Sequence, residues 1–157
     1  MDFQHFVNEY YDVAAKVILK ATGYLDINLL NPPLANFNDV SKFTWAYPYI
    51  ETAKSKGFIS GYADGNYNSS NDVNRAKFAS MIIRTFDLKN TTSTASNFND
   101  VKTDDWFFGA VMIAKQNSII SGYARNIFKP QNPINRAEMS KMIISAMKMM
   151  VKPSAHG

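Results

Sequence analysis

From Trp45 onward, apolar and small residues fall at helical intervals, as Trp45, Tyr49, Thr52 and Ala53, and the same spacing returns as Trp106, Ala110, Ile113 and Ala114. Thr44 and Asp105 stand just ahead of them, residue types whose oxygens satisfy the free N–H groups of a first helical turn, so each pattern predicts a capped helix that closes near Gly61 or Gly122. A second stripe follows in each case. Behind Asn74 it reads Phe78, Met81, Ile82 and Thr85, and behind Asn135 it reads Met139, Met142, Ile143 and Ala146, with the asparagines as caps. The intervening runs, Asp64-Gly65-Asn66-Tyr67 and Arg125-Asn126-Ile127-Phe128, are rich in turn formers, and each carries one aromatic placed to fold back onto the core. The expected fold class is all-α, built of helix–loop–helix units.

The two units are copies of one another. Phe37-Asn38-Asp39-Val40 recurs 61 residues later as Phe98-Asn99-Asp100-Val101, and the register runs without a gap to Ile83 and Ile144, with nineteen of the 47 aligned pairs identical. Shared landmarks include Trp45 with Trp106, Ile59-Ser60-Gly61-Tyr62-Ala63 with Ile120-Ser121-Gly122-Tyr123-Ala124, and Asn74-Arg75-Ala76 with Asn135-Arg136-Ala137. Residues 13–25 resemble the second helix of the later units, Val17-Ile18-Leu19 matching Met81-Ile82-Ile83, and read as the second half of an earlier repeat. The link Asn31 to Asn36 then enters Phe37 as Asn90 to Asn97 enters Phe98. One domain over 1–157 is expected, with a partial repeat over 1–36 and full repeats over 37–97 and 98–157, whose matching cores are 37–88 and 98–150.

Composition narrows the chemistry. At 157 residues and 46% apolar the chain can bury a sizeable core, and with no cysteine it has neither disulfides nor thiolate sites. The opening residues lack the basic start and apolar run of a signal peptide, so an export signal is expected to lie outside this sequence, and no run approaches the ~18 apolar residues of a membrane span. The net charge of +4 is concentrated after residue 36, which suits an acidic partner, but the scattered lysines do not form the basic face of a nucleic-acid binder.

Phe-x-Asp-Val, then Trp, then Gly57-Phe58-Ile59-Ser60-Gly61-Tyr62-Ala63-Asp64-Gly65-Asn66-Tyr67, then Val73-Asn74-Arg75-Ala76-Lys77-Phe78 resembles the S-layer homology motif, whose helix-opening signature is Thr-Arg-Ala-Glu. The resemblance covers 37 to about 150, with a weaker echo over 6–25. It implies a pseudo-threefold, mostly helical domain that attaches non-covalently to secondary cell-wall polysaccharides, often pyruvylated, at an extracellular bacterial surface. Asn74 and Asn135 stand in place of the signature threonine and preserve capping. Glu138 keeps the signature glutamate, whereas Lys77 replaces it in the middle copy, Arg125-Asn126 replaces the loop Asp-Gly, and Tyr10-Tyr11-Asp12-Val13 contains no arginine.

Arg75 and Arg136 are the leading ligand candidates, because a cation in the first turn of a helix opposes the macrodipole and calls for another partner. Free N–H groups and a guanidinium together suit a carboxylate or phosphate; the alternative is a fixed acid such as Asp39 or Asp100 that ties repeats together. Trp45 and Trp106 are expected mainly in the core, with an edge able to floor a sugar site, and Tyr62 and Tyr123 divide between packing and ligand contact. Gly61 and Gly122 read as positive-φ helix stops bordering the site, and Asp39 and Asp100 as acceptors for sugar hydroxyls or arginine.

Asp64, Asn66, Asn68, Ser70 and Asp72 alternate like a calcium loop, but Ser69 takes the position of the required glycine and Arg75 that of the bidentate glutamate, so no metal is expected. The only histidines, His5 and His156, lie near opposite ends and outside the repeated framework, and no nucleophile or phosphate-loop motif occurs, so neither catalysis nor a cofactor is expected. The leading function is an anchoring module for an acidic wall polysaccharide. The alternative is a protein–protein or self-assembly module that pairs with further copies of itself, suggested by eight methionines, four of them between Met139 and Met149, and by the missing half-repeat.

Overall fold

The computed structural model of the chain describes Leu19, residues 36–89 and residues 96–150. The half-repeat expected over 6–25 (apart from Leu19), the links 31–35 and 90–95, and His5 and His156 lie outside the described residues, so the threefold arrangement that draws on them does too. Among the described residues the extended helices are α1 (Tyr47–Ser55), α2 (Arg75–Thr85), α3 (Phe108–Gln116) and α4 (Arg136–Met150). Among the described residues there is no sheet, only two isolated bridges, Asn74 with Pro133 and Tyr123 with Ile127, and the all-α expectation holds. Two compact units divide at Asp72 and Val73.

In the first unit, α1 begins two residues after Trp45. Thr44 does not cap it: its hydroxyl donates back to the Ser41 carbonyl at 2.9 Å, and a turn intervenes before Tyr47, with Pro48 in the first turn where its missing N–H costs nothing. The helix stops well before Gly61. Gly57, at φ +75°, takes the left-handed position; its N–H reaches the Lys54 carbonyl and that of Phe58 the Ala53 carbonyl, both at 2.9 Å, the paired closure of a Schellman motif. The buried stripe is Ala46, Ile50 and Ala53, and the loop aromatic Tyr67 folds onto Phe37 with ring centroids 5.3 Å apart.

The second unit repeats these rules with different residues. Asp105 Oδ2 accepts the Lys102 N–H at 2.7 Å, facing the preceding turn, so it too fails to cap the helix, and α3 starts at Phe108. Ser118 at φ 56° does what Gly57 does, its N–H reaching the Lys115 carbonyl and that of Ile119 the Ala114 carbonyl. Phe107, Val111 and Ala114 form the buried stripe, and Phe128 folds onto Phe98 at 5.4 Å.

Asn74 caps α2 as expected, its side chain accepting the Lys77 N–H at 2.8 Å. Helix α2 buries Ala76, Phe78, Ala79, Ile82 and Ile83, a stripe wide enough to pack against both α3 and α4. The second helix of one sequence repeat thus shares a compact unit with the first helix of the next.

Candidate functional site

The site-forming segment of the second unit is Ser121-Gly122-Tyr123, which enters a tight hairpin. Tyr123 N–H donates to the Ile127 carbonyl at 2.7 Å, and Asn99 N–H to the Asn126 carbonyl at 2.8 Å. A Cβ on Gly122 would lie 2.5 Å from Phe98 Cε1 and 3.0 Å from the Ile127 carbonyl oxygen. Close approach, not helix termination, therefore requires glycine there. Asp100 holds the far side of the loop, its two carboxylate oxygens accepting the N–H groups of Phe128 and Lys129 at 2.8 and 2.7 Å. The first unit repeats the arrangement: Asp39 accepts the N–H groups of Tyr67 and Asn68, both at 2.7 Å, and Tyr62 N–H donates to the Asn66 carbonyl at 2.9 Å. Both aspartates are loop clamps, and neither is the fixed acid of Arg75.

That acid is Glu138. Arg75 is only 5% exposed; its Nη1 meets Glu138 Oε1 at 2.9 Å, its Nε donates to the Phe128 carbonyl at 2.9 Å, and its guanidinium lies 4.9 and 4.8 Å from the ring centroids of Tyr123 and Phe128. The first-turn donors of α2 are committed as well. Arg75 and Ala76 N–H reach the carbonyls of Asn132 and Pro130, both at 3.0 Å, and the cap takes Lys77, so this helix end holds no vacant anion cradle.

Glu138 also closes a capping box, its Oε2 accepting the Asn135 N–H at 3.2 Å while Asn135 Oδ1 accepts the Glu138 N–H at 2.9 Å. Its Oε1 further accepts a short hydrogen bond from the Tyr123 hydroxyl. Burial alone would raise the Glu138 pKa, but the Tyr123 hydroxyl, the Asn135 amide and the Arg75 charge outweigh it and hold the carboxyl below its ordinary value. The hydrogen bond to Glu138, helped by burial, pushes the Tyr123 phenol up.

Two depressions adjoin this node and share Ser121, Gly122 and Tyr123. One, of about 190 Å³, is lined by Arg75 and Glu138 and, from α4, by Lys141, whose Nζ donates to Ser121 Oγ at 2.8 Å. The other, of about 490 Å³, is lined by Asn97, Phe98, Lys115 and Asn126. Of the candidates from sequence, Arg75, Gly122 and Tyr123 come together here, while Trp106, Asp100 and Arg136 line neither depression. Gly61 is left-handed at φ +72°, but it lies beyond the helix stop and faces Phe37 as Gly122 faces Phe98.

The tryptophans depart most from expectation. Trp45 is 51% and Trp106 63% exposed, because the core stripe starts one residue later, at Ala46 and Phe107. Trp45 packs edge-on to Tyr49, Trp106 to Phe107, and Tyr62 is exposed. Lys141 and Ser121 were not singled out from the sequence. Spacing offered a signal, since Lys141 lies one turn after Glu138, but nothing in one chain says which loop that turn meets.

The profile of the S-layer homology domain matches residues 36–79 and 97–140. An amylopullulanase of Thermoanaerobacterium thermosulfurigenes is 34% identical over 116 residues, 74% of this chain and 6% of that protein. The surface layer protein of Brevibacillus choshinensis is 32% identical over 111 residues, 69% of this chain and 10% of that protein. The surface-layer 125 kDa protein of Lysinibacillus sphaericus is 28% identical over 116 residues, 73% of this chain and 10% of that protein. This chain therefore spans a tenth or less of these relatives.

Proposed function

The chain belongs to the S-layer homology domain family, and from that premise we propose that it is a non-catalytic anchoring module, holding a larger protein to the bacterial cell wall by binding a wall polysaccharide non-covalently. The relatives support the setting: they include surface-layer proteins and a polysaccharide-degrading enzyme in which the shared segment is a small fraction of the length. The finer reading is that the polymer is acidic, with pyruvate ketals as the charged substituent. We take the whole chain as one such domain, with a partial repeat over 1–36 ahead of the full repeats 37–97 and 98–157.

The observation that carries this reading is the pair of depressions on either side of Ser121-Gly122-Tyr123. Sugar recognition uses an apolar or aromatic wall for ring C–H faces and a few fixed polar groups for hydroxyls. Tyr123 and Phe98 supply the first, Ser121 and Asn126 the second, and Lys141 and Lys115 add positive charge for an acidic substituent. The test is co-sedimentation of the purified chain with cell-wall sacculi before and after the secondary polymer is stripped. Retention only on unstripped sacculi is expected. Equal retention on both, or self-association in place of wall binding, would move the assignment to a protein–protein module.

A further inference from the structure

We propose that the outer face of α4 is a docking surface for a second copy of this chain, and that the segment it takes from that copy is the half-repeat made of α1 and the loop ending at Asp72. Self-association of this kind goes beyond the anchoring reading and leaves its site alone, since Ala137, Ser140 and Ile144 line neither depression.

The 61-residue register sets α4 beside α2. Arg75, Ala76, Ala79 and Ile83 of α2 are buried, whereas the aligned Arg136, Ala137, Ser140 and Ile144 of α4 are exposed, Ile83 at 8% against Ile144 at 53%. Steps of one, three and four residues put these positions on one side of a helix. The other side is buried in both helices, with Ile82 and Thr85 matched by Ile143 and Ala146. Helix α2 has both α3 and α4 packed against it. The pattern the two helices share is therefore that of a helix covered on two sides, and among the described residues α4 is covered on one.

What covers the start of α2 is the segment between α3 and α4. Arg75 and Ala76 N–H donate to the Asn132 and Pro130 carbonyls, Ile134 N–H donates to the Val73 carbonyl, all at 3.0 Å, and Asn74 bridges to Pro133. Residues 37–72 are the copy of that half-repeat in the first unit, with Ser69 and Asn71 aligned to Pro130 and Asn132. Among the described residues the Ser69 and Asn71 carbonyls accept no hydrogen bond and the Ala137 N–H donates none. The chain holds the joint once made, and holds each of its two halves once more, unmade. Both halves stand open in one chain, so a second copy is what closes them. Charge favours the match: exposed Asp72 is aligned with Pro133, which sets its carboxylate opposite Asn135 and next to Arg136 of the receiving copy. Because the two surfaces differ, each copy gives its loop to one neighbour and receives a loop from another. Such a head-to-tail joint builds rings where the rotation closes and chains where it does not.

Sedimentation velocity of the full chain over a series of concentrations, with no wall material present, is the test. The average mass of the parent should rise above that of one chain as concentration rises. Ile144→Asp and Ser140→Arg, both at exposed positions, should melt with the parent and stay at the mass of one chain. Asp72→Arg, which sets two cations together, should move the onset of association to about tenfold higher concentration or more. Mixing Ile144→Asp with Asp72→Arg should restore association as far as a pair, because the intact α4 of the second meets the intact loop of the first. A parent that keeps the mass of one chain throughout would overturn the inference, as would Ile144→Asp associating like the parent. A mixture that stays apart would show α4 pairing with α4 and overturn the choice of segment. Retention on sacculi is read separately, so each of these results leaves the anchoring reading standing, and a parent that fails to bind sacculi leaves the joint standing.

Discussion

Arg75 and Glu138 meet at 2.9 Å, Nη1 to Oε1, with the arginine 5% and the glutamate 23% exposed. Each stands at the start of a helix, and the helix fields treat them oppositely. Glu138 in the first turn of α4 is favoured by the macrodipole and fixed by the Asn135 capping box, whereas Arg75 as the first residue of α2 is disfavoured. The preorganised carboxylate, the Phe128 carbonyl and two aromatic rings offset what the helix end costs the guanidinium. The pair joins α2 to α4 and to the loop that carries Tyr123.

Arg75→Ala should therefore destabilise the fold. Removing one member of a largely buried, hydrogen-bonded ion pair costs about 3 kcal/mol, leaving Glu138 without its cation and the Phe128 carbonyl without the Arg75 donor. For a unit of this size that lowers the melting temperature by roughly 10 °C or more. Arg75→Lys should recover only part, because an ammonium does not present the planar fork that reaches both acceptors. Thermal unfolding by circular dichroism decides it, and an Arg75→Ala protein that melts with the parent would refute the structural role.

The same node sets a pH dependence. Glu138 has a lowered pKa in the folded state, so its contribution is fully present above the ordinary glutamate value and is lost as pH falls through the lowered native one. The melting temperature of the parent should fall towards that of Glu138→Gln only as pH drops below the ordinary glutamate value of 4.5, and hold its advantage above it. Tyr123, raised in the folded state, contributes below the ordinary tyrosine value and loses that contribution as pH rises through the native one, so Tyr123→Phe should flatten the alkaline limb. Acid profiles of parent and Glu138→Gln that stay parallel throughout would contradict the assignment.

How much of this could be read from one sequence depended on whether the signal was local. The asparagine caps, the loop aromatics and the repeat itself involve residues within a few turns of each other or a 61-residue identity, and Asn74, Tyr67 and Phe128 stand where the pattern put them. Thr44 and Asp105 misled because their side chains also serve a turn on their N-terminal side, and a shift of two or three residues in the helix start moves the buried face off the tryptophans. The partner of Arg75 was illegible for a different reason. Glu138 is 63 positions away, and only the packing of α2 against α4 brings the two together.

Glycine substitutions separate two kinds of constraint. Ala at Gly57 meets open space and carries only left-handed strain, about 1–2 kcal/mol. Ala at Gly122 has no such strain but drives a methyl into the buried Phe98 ring, which packs tilted against Phe128, at about 1–3 kcal/mol. Ala at Gly61 suffers both, since the backbone is left-handed at φ +72° and the new carbon would strike Phe37 and approach the Asn66 carbonyl to 2.9 Å. Denaturant unfolding should place Gly61→Ala as the most destabilised of the three, and finding it no worse than Gly57→Ala would show that the loop gives way.

The last prediction concerns the two tryptophans, which the helix pattern had placed in the core. Trp106 is 63% exposed while its neighbour Phe107 is buried, and the two rings meet edge-on at 5.3 Å. Truncating Trp106 to Ala removes that contact, worth about 0.5–1.5 kcal/mol, and opens no cavity. Truncating Phe107 empties a filled core position, at about 3–5 kcal/mol. Trp106→Ala should thus melt within a few degrees of the parent while Phe107→Ala melts far lower. An exposed indole also presents a flat apolar face of the kind that packs on sugar rings, and in the anchoring reading Trp106→Ala should weaken retention on sacculi with the fold intact. Trp45→Ala in the first unit should behave alike, since Trp45 is half exposed and Ala46, Ile50 and Ala53 carry the burial there. Melting and sacculus binding measured on the same three variants give the answer. A Trp106→Ala protein that unfolds as readily as Phe107→Ala would return the indole to the core, and one that folds and binds like the parent would show that this exposed indole, outside both depressions, takes no part in binding.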